Sequence, residues 1–151
     1  MHPFDWHTVV LAKHAQHVVL IHFPIALFII GVGFDVMGKW LRREEFAAAA
    51  YYNFCVAAIS TVPVLLTGLI AWQWALEGQR LKGTLLLHLV SASASTLIIW
   101  IVWFLARRDR RGAAPPEETS LWKFALEFLG VAVLALTGHL GGFLSGVNGG
   151  L

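Results

Sequence analysis

The first apolar run of the chain covers residues 18–37 and reads VVLIHFPIALFIIGVGFDVM. A helix rises about 1.5 Å per residue, so this run is long enough to cross the roughly 30 Å hydrocarbon layer of a bilayer. Its only ionisable side chains are His22 and Asp35. The run therefore predicts a membrane-crossing helix, and this helix sets the fold class for the rest of the chain.

Three more apolar runs follow the first, and polar connections separate them. They cover about residues 47–74, 84–105 and 121–140. Each run is apolar nearly all round, as expected for helices in lipid, where every backbone N–H and C=O must be satisfied within the segment. The sequence predicts an all-α integral membrane four-helix bundle that forms one domain over residues 1–151.

The composition supports a membrane protein and argues against several other classes. Hydrophobic residues make up 58% of the 151 residues and charged residues only 13%, whereas soluble domains carry about 25% charged residues. The net charge of +2 comes without a basic, aromatic-interleaved stripe, so no nucleic-acid partner is expected. Cys55 is the sole cysteine, which excludes an intramolecular disulfide and a cysteine metal cage.

The two ends of the chain differ from the apolar runs. Residues 3–16 mix aromatic and aliphatic side chains with charged ones, which predicts a short helix lying at the membrane interface. Residues 1–5 lack the basic segment of a cleavable signal, so the first run is expected to be a retained helix. The last 14 residues contain six glycines, and we expect a tail or a close-packed loop there.

The distribution of Lys and Arg predicts the orientation of the bundle. Eight of these residues lie in or beside the first and third connections, and three lie on the opposite side of the predicted topology. The eight are Lys39, Arg42, Arg43, Arg107, Arg108, Arg110, Arg111 and Lys123, and the three are Lys13, Arg80 and Lys82. Because cytoplasmic loops are enriched in Lys and Arg, we expect a bacterial inner-membrane protein with both termini in the periplasm.

This topology brings the histidines of the membrane region to one end. His17 and His22 lie at the outer end of the first helix, His88 near the outer end of the third, and His139 near that of the fourth. Two imidazoles that face each other inside a helix bundle are a common way to hold a haem iron. We therefore predict one or two haem b groups, with His22 and His88 as axial ligands and His17 and His139 as alternative ligands.

Small residues accompany these histidines. Ala26, Ala92 and Ala135 each lie four residues, or one helical turn, deeper than a histidine, on the same helix face. A flat macrocycle needs small side chains beside its ligand, and Ser91 and Ser95 widen the small face of the third helix. The same residue types also line ordinary contacts between membrane helices, so the pattern fits a cofactor site and a packing surface.

Two other interpretations remain open. In the first, the protein is a cofactor-free subunit that packs against a larger membrane complex, and Gly31, Ala26, Gly33, Ser91 and Ser95 are helix contacts. In the second, His7, His14 and His17 share one face of an N-terminal helix and bind copper or zinc. We count Asp35 as the one acidic residue within the membrane and expect it to pair with Lys39 or with a loop arginine. A single acid argues against an ion transporter, which would need a relay of ionisable groups.

The sequence also resembles a family of small four-helix bacterial membrane proteins of uncharacterised function. The resemblance rests on a His-Phe-Pro-Ile-Ala-Leu motif, on an Asp late in the first helix, on a histidine in the third helix and on a closing glycine-rich run. The matching positions are His17, His22, Phe23, Pro24, Ile25, Ala26, Leu27, Asp35, His88 and residues 137–142. Two departures are Val18, where the family has proline, and residues 145–148, which lack a late family histidine. The resemblance implies the topology and the histidine positions, and it implies no activity.

Taken with a general likeness to membrane b-type cytochromes, these features predict an electron-transfer protein or subunit rather than a stand-alone enzyme. Two axial imidazoles leave no open position on the iron, so such a protein relays electrons within a respiratory or photosynthetic chain. The expected partners are membrane lipid, other subunits of an electron-transfer complex, and a cytochrome c, a cupredoxin or quinol.

Overall fold

The computed structural model describes residues 15–74, 76–112 and 119–146, and these residues form five α-helices. The helices are α1 (Ala15–Leu20), α2 (His22–Leu41), α3 (Glu44–Trp74), α4 (Gly83–Arg110) and α5 (Thr119–Leu144). None of these residues belongs to a strand, so the all-α class is confirmed. The predicted interfacial helix falls almost entirely on residues 3–14, which lie outside the described part of the chain.

The first membrane span is made of α1 and α2 together. Only Ile21 separates them, and its backbone stays helical at φ −60° and ψ −26°. The interruption lies three residues before Pro24, which has no N–H to donate to the carbonyl of Leu20 and whose ring crowds the preceding turn. The proline therefore loosens the helix without ending it.

Four stretches of described helix are long and apolar enough to cross a membrane. They are Gln16–Leu41, Glu44–Trp74, Gly83–Arg110 and Leu121–Leu144. No more than 28% of the most apolar part of any span is buried inside the protein, so most of the apolar side chains face outward. A single soluble chain does not expose this much apolar surface, and the four-helix membrane bundle is thus supported by the structure.

The spans extend beyond the predicted bounds at several ends, including the C-terminal ends of α4 and α5. The expectation of a tail or loop from residue 138 onward is wrong for residues 138–144, because Gly138, Gly141 and Gly142 are helical. Glycine in a helix costs about 1 kcal/mol relative to alanine. In lipid that cost is smaller than the cost of leaving backbone groups without hydrogen bonds.

The spans pack most closely as two consecutive hairpins, the first made of α1, α2 and α3 and the second of α4 and α5. At the first hairpin turn, Arg42 adopts a left-handed conformation (φ +52°) and Arg43 N–H donates to the Gly38 carbonyl. We call the end of the bundle that contains this turn and residues 107–112 the charged end. The opposite end, where α1 and α4 begin, is the histidine end.

The core, within the first hairpin and between the two hairpins, depends on two glycines that let aromatic rings approach helix backbones. The rings of Phe28 and Phe54 are fully buried with centroids 5.6 Å apart. A Cβ at Gly31 would lie 2.7 Å from the Phe54 ring, and a Cβ at Gly130 would lie 2.8 Å from the Phe28 ring. Real Cβ atoms do not tolerate such distances, so these positions require glycine.

Candidate functional site

The imidazole of His88 lies between α4 and α5 at the histidine end. Its Nδ1 is 3.1 Å from the carbonyl oxygen of Thr137 on α5. A Cβ at Gly141, one turn further along α5, would lie only 3.2 Å from Cε1 of the ring. The half-buried ring thus packs against the bare backbone of Gly141 and is oriented by one hydrogen bond.

His17 makes a corresponding contact within the other hairpin. Its Nδ1 is 3.2 Å from the hydroxyl oxygen of Thr67 on α3, and a Cβ at Gly68 would lie 3.0 Å from its Cε1. The Thr67 hydroxyl donates its own hydrogen to the carbonyl of Pro63, 2.8 Å away. The hydroxyl oxygen is therefore an acceptor for His17, and Nδ1 of His17 is the donor.

These bonds fix the tautomers of the rings. A carbonyl oxygen only accepts, so Nδ1 of His88 carries the hydrogen, and the lone pair of the neutral ring lies on Nε2. The same reasoning applies to His22, whose Nδ1 is 2.7 Å from the Val18 carbonyl on its own helix, whereas for His17 the assignment rests on the bond from Thr67 to Pro63. Metal-binding histidines usually have this arrangement, with one ring nitrogen held by an oxygen acceptor and the other directed to the metal.

The four predicted ligand histidines differ in exposure. His17 and His88 are half-buried between helices, whereas His22 and His139 are exposed on the surface of the bundle. His139 packs edge-on against Phe143, with ring centroids 4.9 Å apart. Among the described residues no hydrogen bond joins His22 to His88, the pair preferred from the sequence, and Nδ1 of each bonds a backbone carbonyl instead.

The predicted small residues fall into two groups. Ala26 and Ala135 are exposed and Ala92 is half-buried, so the space one turn below His22 and His139 opens toward lipid. Ser91 and Ser95 are buried instead. Ser95 lies 3.1 Å from the Thr137 hydroxyl of α5 and also donates to the Ser91 carbonyl, so this serine face is a contact between α4 and α5.

The copper or zinc interpretation places three histidines on one N-terminal helix face. His7 and His14 lie outside the described residues, and His17 contacts α3. Within the residues that are described, no three His, Cys, Asp or Glu side chains are grouped so as to hold a metal ion. A haem iron needs only two axial imidazoles, so this finding does not bear on haem.

The charged end contains a polar cluster built around Lys123 of α5. Its side chain is 3% exposed, and its Nζ lies 3.1 Å from Asp109 Oδ2, 3.3 Å from Asp35 Oδ1 and 3.8 Å from Glu127 Oε1. Lys39 completes the cluster at 3.6 Å from Asp35 Oδ2, which is the ion pair expected from the sequence. The cluster draws on α2, α4 and α5 and therefore connects the two hairpins.

Glu127 corrects the expectation that Asp35 is the one acid within the membrane. Its side chain is fully buried one turn deeper than Lys123, and neither of its oxygens has a hydrogen-bond partner among the described residues. The sequence contained a usable signal, because a Lys and a Glu four residues apart in an apolar run lie on one helix face. Burial of both then requires mutual pairing.

Comparison with known proteins identifies the family of this chain. A family model described as "Predicted membrane protein (DUF2231)" matches residues 13–149. The chain belongs to this family. Membership in DUF2231 agrees with the resemblance to an uncharacterised membrane-protein family, and the description names no activity or cofactor. No curated protein and no solved structure matches the chain.

Proposed function

We propose that this protein is a membrane b-type cytochrome that holds haem at the histidine end and relays electrons. The observation that carries the proposal is the pair of half-buried imidazoles, His17 and His88, one in each hairpin. Each has Nδ1 bound to an oxygen acceptor, which leaves the lone pair on Nε2, the atom that binds iron. In this proposal the histidine end faces the periplasm, within reach of a cytochrome c, a cupredoxin or quinol.

His88 is the first ligand in this proposal, and its partner comes from the first span. His22 is the partner predicted from the sequence, and its Nδ1 bond to Val18 supports a ligand role. Its exposed position on α2 is less favourable, because a ligand there would hold haem on the lipid-facing surface. His17 is half-buried between α1 and α3, and this supports His17 as the partner over His22.

A reduced-minus-oxidised absorption spectrum of the detergent-purified protein, produced with ample haem, tests the proposal. The expected result is a b-type difference spectrum that is lost in His88→Ala. Either His17→Ala or His22→Ala should also abolish the spectrum, and the other should keep it. His139→Ala tests the other alternative ligand, and it should keep the spectrum because His139 is exposed at the same end. Absence of haem from the wild-type protein would refute the proposal.

The second candidate function is a cofactor-free subunit of a larger membrane complex. The observation that favours it is the exposed face of α2, where Ala26 is exposed and a Cβ at Gly33 would meet nothing within 4 Å. Small residues on an outward face allow a partner helix to approach closely. Gly31 does not belong to this face, because the Phe54 ring fills the space beside it.

A cross-linking comparison separates the two candidates. A photo-reactive residue at position 33 should capture a neighbouring membrane protein if the subunit interpretation is correct, while one at the core position 31 should not. A colourless protein with a position-33 adduct would favour the subunit, and a haem spectrum without an adduct would favour the cytochrome.

A further inference from the structure

A basic cavity lies at the charged end beside the Lys123 cluster, and two of its residues, Tyr51 and Arg110, also line a pocket that contains Lys123. The basic cavity has a volume of about 440 Å³ and is lined by Tyr51, Tyr52, Arg107, Arg110 and Arg111. Arg110 and Arg111 follow Arg107 by three and four residues. The end of α4 therefore presents all three on one face. The two tyrosines come from α3, and the cavity therefore lies between α3 and α4.

Aromatic rings hold two of the arginines in place. The Arg110 guanidinium carbon lies 4.7 Å from the ring centroid of Tyr51 and 5.3 Å from that of Tyr52. The Arg107 guanidinium carbon lies 5.6 Å from the Trp103 ring. A guanidinium that stacks through its face keeps the N–H donors along its edge for an acceptor. Stacking also reduces the entropy that these side chains lose when they bind a ligand.

The positive charge of the cavity is not balanced within the described residues. No carboxylate lines the cavity, and the neighbouring Asp109 is paired with Lys123. Within residues 15–74, 76–112 and 119–146, none of the three arginines has an ion pair. Three cations and two phenols around one space favour an anion, and arginine forks match the oxygens of a phosphate group.

The position of the cavity favours a lipid as the source of that phosphate. It lies at the charged end, which also carries the exposed side chains of Trp40 and Leu121 near the ends of their helices. Tyr52 is 59% exposed, so the cavity is open on its outer side. Basic pockets between membrane helices at this level bind the headgroups of anionic lipids.

We propose that the cavity formed by Tyr51, Tyr52, Arg107, Arg110 and Arg111 is a binding site for a phosphate group. An anionic phospholipid headgroup is the favoured source, and free inorganic phosphate is the other source of the same chemistry. The site needs neither haem nor a partner protein, so it stands independently of the proposed function.

Native mass spectrometry of the detergent-purified protein tests the site, with phosphatidylglycerol and phosphatidylcholine of identical acyl chains as probes. The wild-type protein should retain phosphatidylglycerol in preference to phosphatidylcholine. The variant Arg107→Gln/Arg110→Gln/Arg111→Gln should bind phosphatidylglycerol roughly 100-fold more weakly, from about 1 kcal/mol per arginine. Circular dichroism and gel filtration check that this variant remains folded.

A matched control removes the same amount of charge from other positions. The variant Arg42→Gln/Arg43→Gln/Arg80→Gln loses three arginines that do not line the cavity, and it should keep the wild-type preference. Equal weakening in both variants would overturn the proposal, because it would show attraction to net charge rather than to a site. Unchanged binding in the cavity variant would overturn it as well.

A second arm identifies the source of the phosphate. Inorganic phosphate is added to lipid-free protein, and the shift in unfolding temperature is compared with that produced by equimolar sulfate and chloride. A shift specific to phosphate that disappears in the cavity variant, without a preference for phosphatidylglycerol, assigns the site to free phosphate. A preference for phosphatidylglycerol without such a shift assigns it to lipid. Failure of both probes on the wild-type protein refutes the site.

Discussion

At the charged end, Lys123 of α5 reaches Asp35 of α2 and Asp109 of α4, so its ion pairs cross from one hairpin to the other. At the histidine end, His17 contacts α3 and His88 contacts α5, and each of these bonds stays within one hairpin. The comparison suggests a division of roles. Ion pairs fix the two hairpins against each other at one end, and imidazoles are oriented within each hairpin at the other.

The largest effect is expected from removing the centre of the charged cluster. Lys123→Met leaves Asp35, Asp109 and Glu127 together without their shared cation, and breaking a buried ion pair in this way costs about 3–5 kcal/mol. The loss should appear as a lower free energy of unfolding in detergent. Lys39→Met is the control, because Lys39 is 38% exposed and its pair is worth about 1 kcal/mol or less.

If Lys123→Met and Lys39→Met destabilise the protein equally, the ion pairs of Lys123 do not hold the hairpins together, and the proposed difference between the charged end and the histidine end is wrong. A haem spectrum provides a further check on the division of roles. If the Lys123→Met variant remains folded, its haem spectrum should be unchanged, since none of the predicted ligand histidines belongs to the charged cluster.

A smaller effect is expected where the imidazoles pack on bare helix backbone. Gly141→Ala places a Cβ about 3.2 Å from the His88 ring, so the ring must shift by a few tenths of an ångström, and the variant should be less stable than Gly138→Ala by about 1 kcal/mol or more. Gly138→Ala is the matched control, since it lies in the same helix and its Cβ would meet nothing within 4 Å. The control should be neutral or stabilising by up to about 1 kcal/mol. Equal behaviour of the two variants would contradict the His88 contact.

The smallest effect is expected from a single hydrogen bond at the histidine end. Thr67→Val removes the acceptor of His17 and should cost about 1 kcal/mol, with a change in the tautomer of His17 seen by ¹⁵N NMR of the imidazole. Thr96→Val is the control, because the Thr96 hydroxyl donates to the Ala92 carbonyl of its own helix. If the ¹⁵N spectrum of His17 is unchanged in Thr67→Val, the assigned bond is wrong.

The four spans were predictable from sequence because length and apolarity are properties of single segments. The Asp35–Lys39 pair was predictable for the same reason, since both residues lie one turn apart on one helix. The bonds of Lys123 to Asp35 and Asp109 join residues distant in sequence, and they depend on how the hairpins rotate against each other. Such rotation is set by packing around Phe28 and similar residues, which hydropathy does not reveal.

The histidine site was predictable in part. Clustering of the histidines at one end follows from alternation of the spans, which the sequence shows. Which histidines face inward depends on helix rotation, so the sequence favoured His22, whereas His17 is the residue half-buried between helices. The contacts of Gly68 with His17 and of Gly141 with His88 were not predicted either. A glycine in an apolar helix does not show which side chain packs against it until the neighbouring helix is known.

Titration of the purified protein with ferric haem b, followed by absorption, tests directly whether the histidine end binds haem. Wild type and His88→Gln are compared at matched circular dichroism, since Gln retains an amide donor for the Thr137 carbonyl and preserves much of the packing. We expect saturable binding with a low-spin spectrum in the wild type and loss of that spectrum in His88→Gln. An identical spectrum in both proteins, or no saturable binding to the wild type, would show that His88 does not hold haem.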